Sequence, residues 1–475
     1  MQTGNPGYFY YPSLMLYLDG GLMRLGWGAA LDCTAALHPD QLFFVMRVIS
    51  AIAGALWVPA AALLAYRASP TPSRRRAMVA TAILAALAYL PAREAHFGTI
   101  DSALLLALTV ALHRIQVLIE QPSRRAYLLA GAAWGLATSV KYNALGLAVP
   151  VLVAHWLVWK RGAAKLVDAR VLGLALAALV AFVGTSPFLV LSWRDALAQF
   201  LTDLRVLHDG YPGFEQGTAL GFYGTFALPV GLGLPMCIAA IVGLGVLVRR
   251  PQAWPLLAFG IASALSIATG KYTLVRYALV VVPTLIVCAG WALASIPRAR
   301  VPLVAMLAVL VALPSLWRLI ALDRALSLED TRSAAAAWMS AHASSGASVV
   351  EDGYFGAPVL PMDRSGLTCP ESGPRFRASA VHRYESMSVQ QDLVNAAYAN
   401  PPDYVVEREG LLKWYGRRGA WVPGLVEGRY ELAQAWPVSL REPARFDELD
   451  AFYLPFDAPL AQTQPGPSIQ IWKRR

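Results

Sequence analysis

The feature that most constrains this chain is a series of apolar runs, each close to the length at which a helix crosses a membrane. A hydrocarbon layer about 30 Å thick takes about 20 helical residues. The runs cover residues 42–66, 77–91, 101–118, 127–140, 143–159, 170–191, 229–248, 253–269, 276–295 and 301–319. Since 57% of the residues are hydrophobic and only 15% are charged, the sequence predicts a polytopic α-helical membrane protein with ten spans. Two runs, 77–91 and 127–140, are short, and a re-entrant helix is the competing interpretation for each.

The segments between the runs divide into two kinds by charge. Alternate segments contain many Lys and Arg residues and only two acidic residues, and they are "RASPTPSRRR" (67–76), "EQPSRR" (120–125), "KRGAAKLVDAR" (160–170), "RR" (249–250) and "PRAR" (297–300). An excess of basic residues in the loops on one side is typical of the cytoplasmic side. We therefore expect residues 1–41 and the chain after residue 320 to lie outside. The net charge of +10 follows from this topology and does not indicate a nucleic-acid partner, because the basic residues do not collect on one polar face.

The membrane pattern ends near residue 320. In the remaining chain we predict helices at 331–343 and 389–399, and strands at 347–353, 403–408 and 468–475. This alternation indicates a small α/β domain. The predicted domains are a partial first outer loop with an amphipathic helix (1–41), a transmembrane helical domain (42–320) and an extracytoplasmic α/β domain (321–475).

Several stretches resemble one family in their order and spacing. They are "NPGYFYYPSLMLYL" (5–18), "RVISAIAGALWVPAAALLAY" (47–66), "REAHFGTIDSALLLALTVAL" (93–112), "GLATSVKYNALGLAVPVL" (135–152), "GKYTLVRYALVVVP" (270–283) and "DTRSAAAAWM" (330–339). Together they resemble the GT-C superfamily of glycosyltransferases, and in particular the bacterial relatives of the protein O-mannosyltransferases and of the lipid A aminoarabinose transferase.

The resemblance implies a transferase that moves a sugar from a polyprenyl-phosphate-linked donor to a protein, lipid or glycan acceptor on the outer face of the bacterial plasma membrane. In that family an acidic residue, often in an Asp-Glu pair, comes shortly before the aromatic stretch. Here only "MQTG" precedes it. We therefore expect that a further span and the usual catalytic acid are encoded upstream of residue 1, and that the chain without them is inactive.

Asp101 is the candidate catalytic residue, because it stands where a predicted span begins and matches the family at "HFGTID" (96–101). It could orient the acceptor or hold a divalent metal against a phosphate, since carboxylates suit such ions. A helix-initiating carboxylate favoured by the helix dipole is the competing interpretation. His96, at the same entry to the membrane, is a candidate substrate contact.

A second candidate group occupies "GKYTLVRY" (270–277), a short outer loop that is basic against the topological bias. Lys271, Tyr272 and Arg276 are predicted to bind the donor, because a departing lipid phosphate needs positive charge. Anchoring at the membrane interface is the alternative, since Lys, Arg and Tyr favour headgroup depth. Tyr11 is a candidate to stack on the sugar or the prenyl chain, and packing of an amphipathic helix on the membrane surface is the competing interpretation. Lys141 divides two short runs, and a charge there must face protein or water.

Two other functions stay open. A transporter would carry charges near the middle of its spans and inverted repeats, and the sequence shows neither strongly. A membrane scaffold without catalytic activity would need no acid at all.

Overall fold

The computed structural model describes residues 4–28, 31–32, 34, 39–210, 217–352, 360, 376–381, 387–412, 419–448 and 452–475. The chain divides into two compact units. One comprises Met1–Leu22 with Val45–Leu319, and the other comprises Met23–Phe44 with Ile320–Arg475.

The apolar part of the chain is helical throughout. Its helices are α1 (Leu14–Trp27), α2 (Pro39–Ala68), α3 (Arg74–Leu87), α4 (Tyr89–Ala95), α5 (Asp101–Glu120), α6 (Arg124–Val140), α7 (Ala148–Lys160), α8 (Ala169–Thr185), α9 (Phe188–Leu191), α10 (Trp193–Asp209), α11 (Ala219–Phe222), α12 (Leu228–Leu232), α13 (Leu234–Leu247), α14 (Trp254–Ala268), α15 (Val282–Ala294) and α16 (Val301–Leu326). A π-helical turn, Tyr223–Ala227, joins α11 to α12, and 3₁₀ turns precede α7 (Tyr142–Leu147) and α15 (Val275–Val280).

Among the described residues, five helical stretches are long and apolar enough to cross a membrane: Asp40–Ala68, Asp101–Glu120, Tyr142–Lys160, Pro251–Ala268 and Val301–His342. The number rises to seven if two bent pairs, Thr71–Leu87 with Tyr89–Ala95 and Ala219–Leu232 with Leu234–Leu247, each form one span. The predicted polytopic helical fold is confirmed at this level. The count of ten and the orientation in the membrane remain predictions.

Two glycines on α6 allow this helix to lie directly against α8. A Cβ added at Gly131 would stand 2.1 Å from the carbonyl oxygen of Leu174, and one at Gly135 would stand 2.1 Å from that of Ala178. Small residues let membrane helices approach backbone to backbone, because packing replaces the hydrophobic drive that is missing between helices in lipid. The glycines therefore fix α6, which ends at the candidate site.

The basic loops meet at one end of the helices. Arg74 forms an ion pair with Glu120 at 2.9 Å, and Arg67 pairs with the same carboxylate. Arg76 donates to the carbonyl oxygen of Ala299 at 3.0 Å. Three loops that the sequence assigns to one side thus lie together, at the opposite end of α5 from Asp101.

In the described residues of the second unit, five strands form a mixed sheet. Its strands are β1 (Ser348–Asp352), β2 (Arg377–Val381), β3 (Tyr404–Glu409), β4 (Tyr430–Trp436) and β5 (Ser468–Arg474), and its helices are α17 (Thr331–His342), α18 (Met387–Ala399) and α19 (Trp421–Val426). The strand order is β2-β1-β3-β5-β4. The first two pairings are parallel and the last two antiparallel, with Val350 beside Val405 and Val406 beside Ile471. Residues of α17 cover one face, and residues of α18 and α19 cover the other.

Candidate active site

The aromatic loop 4–13 ("GNPGYFYYPS") is held in place by residues of segment 186–199, which includes α9 and enters α10. The backbone N–H of Phe9 donates to Oε1 of Gln199 at 2.7 Å, and Nε2 of Gln199 donates to the carbonyl oxygen of Gly7 at 3.3 Å. The N–H of Ser13 donates to Oγ of Ser186 at 3.0 Å. These bonds tie the loop to chain nearly two hundred residues away, so the aromatic stretch is a fixed part of this region.

Asp101 and Lys141 form a buried ion pair beneath that loop. Asp101 is the first residue of α5, and Lys141 is the extended residue at which α6 ends. The Nζ of Lys141 donates to Oδ1 of Asp101 at 2.9 Å, and the two residues are only 5% and 3% exposed. A buried charge is tolerated because its partner is present, and removing one partner of such a pair is strongly destabilising. The pair therefore fixes the ends of α5 and α6 against each other.

Arg276 adds a second cation to the same carboxylate. It lies on the 3₁₀ turn Val275–Val280, and its Nε is 3.9 Å from Oδ2 of Asp101. Its side chain is 21% exposed, whereas that of Asp101 is 4% exposed, so Arg276 is the more accessible of the two. Within this group of three, two cations face one carboxylate. Arg side chains form strong charge-assisted hydrogen bonds with phosphate oxygens, so the group has the charge to receive a phosphate.

Tyrosine rings enclose the Lys141 ammonium. Its Nζ lies 5.3 Å from the ring centroid of Tyr11 and 4.9 Å from that of Tyr277, within the range of a cation–π attraction. Next to Tyr11, the ring of Tyr8 is 5.3 Å from that of Tyr10 and 6.1 Å from that of Tyr11. Burial raises the pKa of Tyr8, so this phenol stays neutral near pH 7. The rings and the Lys141 ammonium thus lie side by side, so apolar area and positive charge meet in this region.

Asp203 belongs to the same region, and the sequence did not single it out. It lies on α10 one turn after Gln199, which holds the aromatic loop, and the intervening Phe200 packs its ring 5.0 Å from that of Tyr142. Burial raises the pKa of the half-buried Asp203 carboxyl, and the charge of Lys141 opposes that rise. The only signal in the sequence is the helical spacing 196, 199, 203, which identifies one face of α10 and not what that face contacts.

The structure brings three of the predicted site residues together. Asp101 and Tyr11 each contact Lys141, and Arg276 lies beside Asp101. Tyr272 lies at the margin, with its ring 6.1 Å from that of Tyr277.

Two other predicted site residues, Lys271 and His96, have different partners among the described residues. Lys271 is exposed, and its backbone N–H donates to the carbonyl oxygen of Leu207 near the end of α10 at 2.9 Å. His96 is exposed as well, and its Nδ1 lies 2.8 Å from the carbonyl oxygen of Ala92, one turn earlier. The roles of Lys271 and His96 in the site remain predictions.

The surroundings of Asp101 do not fit a metal. Among the described residues no group of three or more His, Cys, Asp or Glu side chains could hold a metal ion. The nearest partner of the Asp101 carboxylate is the ammonium of Lys141, which repels cations. The observed donor set thus favours binding of an anion.

Comparison with known proteins identifies one family over part of the chain. Residues 30–193 match the family model described as dolichyl-phosphate-mannose-protein mannosyltransferase. The match confirms the predicted resemblance to the GT-C superfamily. It includes Asp101, His96 and Lys141 and ends before Arg276. The search of curated proteins found no match.

Solved structures similar to this chain include two proteins bound to a lipid phosphate. ArnT from Cupriavidus metallidurans bound to undecaprenyl phosphate is 21% identical, with 68% of this chain and 57% of that chain covered and a TM-score of 0.48. The archaeal oligosaccharyltransferase AglB from Archaeoglobus fulgidus, in complex with an inhibitory peptide and a dolichol-phosphate, is 15% identical, with 72% and 54% covered and a TM-score of 0.42. The chain thus spans little more than half the length of these proteins.

Proposed function

We propose that this chain acts as a membrane glycosyltransferase that moves a sugar from a polyprenyl-phosphate donor to a protein, lipid or glycan acceptor. The observation that carries the proposal is the group of Asp101, Lys141 and Arg276, in which two cations face one carboxylate beside tyrosine rings. The family match over residues 30–193 supports the same reaction class. A sugar-phosphate with a prenyl chain presents the charge and the apolar surface that such a site would bind.

The chemistry follows from the charges. When the bond between the sugar and the lipid phosphate breaks, negative charge develops on the phosphate oxygens, and fixed cations stabilise it. Arg276, the more exposed cation, binds that phosphate in our proposal, with Lys141 behind it and Lys271 and Tyr272 at the margin. Asp101 holds Lys141 and Arg276 in position. Tyr11 and His96 contact the sugar, and the acceptor attacks the anomeric carbon from the opposite face with inversion.

The location of the group favours transfer over transport. Asp101, Lys141 and Arg276 stand at helix ends, on α5, α6 and the turn before α15, whereas transporter sites lie near the middle of the bilayer. They are also at the opposite end of α5 from the basic loops. We therefore propose that the site faces the outer side of the bacterial plasma membrane, where the C-terminal domain 321–475 would also lie.

Binding of undecaprenyl phosphate to the purified protein in detergent tests the donor site. Arg276→Ala should weaken binding by roughly 10- to 100-fold, because a hydrogen bond to a charged group contributes about 1.5–3 kcal/mol. Arg249→Ala is the matched control, since Arg249 is an exposed residue of a basic loop and its loss should leave binding unchanged. Equal affinity of the wild type and Arg276→Ala would remove Arg276 from the donor site.

A further inference from the structure

The helix α10 presents three different faces. Its exposed apolar residues, Trp193, Leu197, Leu201 and Leu204, follow helical spacing along one side. Exposed polar residues, among them Arg194, Asp195 and Arg205, occupy the next side. The third side carries Ala196, Gln199 and Asp203, of which Ala196 is buried and Gln199 binds the aromatic loop.

Asp203 must therefore point toward the candidate site. Residues three and four apart on a helix are neighbours on one face, so Asp203 follows Gln199 and Phe200 toward the aromatic loop and Tyr142. Among the described residues, the titratable groups that interact with it include Tyr8, Tyr142, Tyr277 and Lys141. Three of these are neutral phenols, so Lys141 is the one cation among them.

The two carboxylates of the region are held differently. The Oδ1 of Asp101 accepts from Lys141, and Arg276 stands near Oδ2. A proton placed on Asp101 would leave Lys141 buried without its anion, which is costly. Asp203 is half-buried, and no ion pair within 4.0 Å involves it among the described residues. It can take a proton without breaking a pair.

Among the described residues of the group, Asp101 is paired with Lys141, and the two cations cannot accept a proton. An acceptor hydroxyl must lose its proton as it attacks, and a positioned base works best when its pKa is near the working pH. Burial raises the pKa of Asp203 toward that range. The carboxylate is also on the helix that fixes the aromatic loop, so its position relative to that loop is set by the hydrogen bonds of Gln199.

We propose that Asp203 is a catalytic residue that accepts the proton of the acceptor hydroxyl. The role depends on the proposed transfer function. The O–H bond of the acceptor breaks and its proton passes to Asp203, while the acceptor oxygen bonds to the anomeric carbon. The bond from that carbon to the lipid phosphate breaks, and its electron pair leaves with the phosphate, near Arg276 and Lys141. No further reactant is needed.

The test measures both turnover and donor binding. Wild-type protein, Asp203→Asn, Asp203→Glu and the control Asp195→Asn are purified from the 475-residue chain and from a form that includes the in-frame sequence encoded upstream. Each is reconstituted in vesicles with membrane extract as the acceptor source and a panel of polyprenyl-phosphate-linked sugars. Release of lipid phosphate is followed between pH 5 and pH 9, and undecaprenyl phosphate binding is measured separately.

Asp203→Asn should lower kcat by about 10²–10⁴-fold, with undecaprenyl phosphate affinity kept within about threefold. Asp203→Glu should recover part of kcat and shift the acidic limb of the pH profile, which a merely structural residue would not do. Asp195 is exposed on the polar face, so Asp195→Asn should behave as wild type.

Three results would overturn the role. If the wild type is active and the kcat of Asp203→Asn stays within about threefold of the wild-type kcat, Asp203 is not the base, and the transfer function still stands. A parallel loss of lipid binding would make Asp203 a donor-site residue instead. Wild type that transfers no sugar from any donor, in either form, would refute the transfer function and the role of Asp203 with it.

Discussion

Replacing Lys141 by methionine removes the cation that accompanies the Asp101 carboxylate in the interior. Breaking a buried ion pair by removing one partner costs about 3–5 kcal/mol, because the remaining charge is left uncompensated. Arg276 still stands 3.9 Å from Asp101, so we expect the lower end, about 3 kcal/mol. The free energy of unfolding is measured in mixed micelles by titration with dodecyl sulfate, with tryptophan fluorescence as the signal.

Two variants make this measurement decisive. Asp101→Asn combined with Lys141→Met removes both charges and should return to within about 1 kcal/mol of the wild type, since neutral replacement of a buried pair is often tolerated. Arg67→Met breaks a pair with Glu120 whose side chains are 33% and 24% exposed, and it should cost about 0–1 kcal/mol. If Lys141→Met destabilises no more than Arg67→Met, the account of Asp101 and Lys141 as a buried pair is refuted.

Three further predictions concern packing, pH and topology. Gly131→Val should lower the melting temperature sharply, because its Cβ would meet the carbonyl oxygen of Leu174 at 2.1 Å. The control Gly146→Ala should not lower it, because the space at that Cβ is open. Equal melting temperatures of the two variants would contradict the close approach of α6 and α8. Burial raises the pKa of Glu351 in β1 from 4.5 to about 8. The folded sheet therefore binds this proton more tightly than the unfolded chain and should lose stability as the pH rises from 4.5 to about 8. Hydrogen exchange of β1 in the whole chain should show this loss, and an unchanged pH dependence of the exchange in Glu351→Gln would exclude Glu351 as its source. Single cysteines replace Ser123, Ala163 or Ser345 in a background without native cysteines. Those at 123 and 163 should react with an impermeant reagent only after the membrane is permeabilised, whereas the one at 345 should react with intact membranes. Reaction at 163 with intact membranes would overturn the predicted orientation.

The helices were predictable because apolar runs and their charged ends are local properties of the sequence. All ten predicted runs coincide with helical segments, although several are broken, as at Ala88 between α3 and α4 and at Gly233 before α13. Breaks of this kind depend on neighbouring helices as much as on the residues themselves. The hydropathy pattern therefore identifies the apolar segments better than it counts the spans.

The C-terminal sheet shows the same limit. Strands β1, β3 and β5 were predicted from Val- and Ile-rich runs such as "SVVED" and "YVVERE". Strands β2 ("RASAV") and β4 ("YELAQAW") were missed. These two stand at the ends of the strand order among the described residues. An outer strand packs against fewer neighbours, so it depends less on the β-branched residues by which strands are recognised in a sequence.

The candidate site was predictable in its parts and not in its connections. Asp101 and Arg276 stand out as charges at the ends of apolar runs. The pairing of Asp101 with Lys141 joins residues 40 positions apart and depends on how α5 and α6 lie side by side. In the sequence, Asp203 is one of several acids on an amphipathic helix. Its place in the site follows only from the structure, in which Gln199, one turn earlier, binds the aromatic loop.

The most direct test of the proposed function is transfer of a radiolabelled sugar from a polyprenyl-phosphate donor by the purified protein in vesicles, measured with wild type, Arg276→Ala and the control Arg249→Ala. Both the 475-residue chain and a form lengthened by the codons in frame before residue 1 are assayed, and transfer by either form counts as wild-type activity. We expect labelled acceptor and free lipid phosphate to appear together with wild type and Arg249→Ala, and turnover to fall at least about tenfold with Arg276→Ala. No labelled acceptor from any donor in the panel, or equal turnover of Arg276→Ala and wild type, would contradict the account.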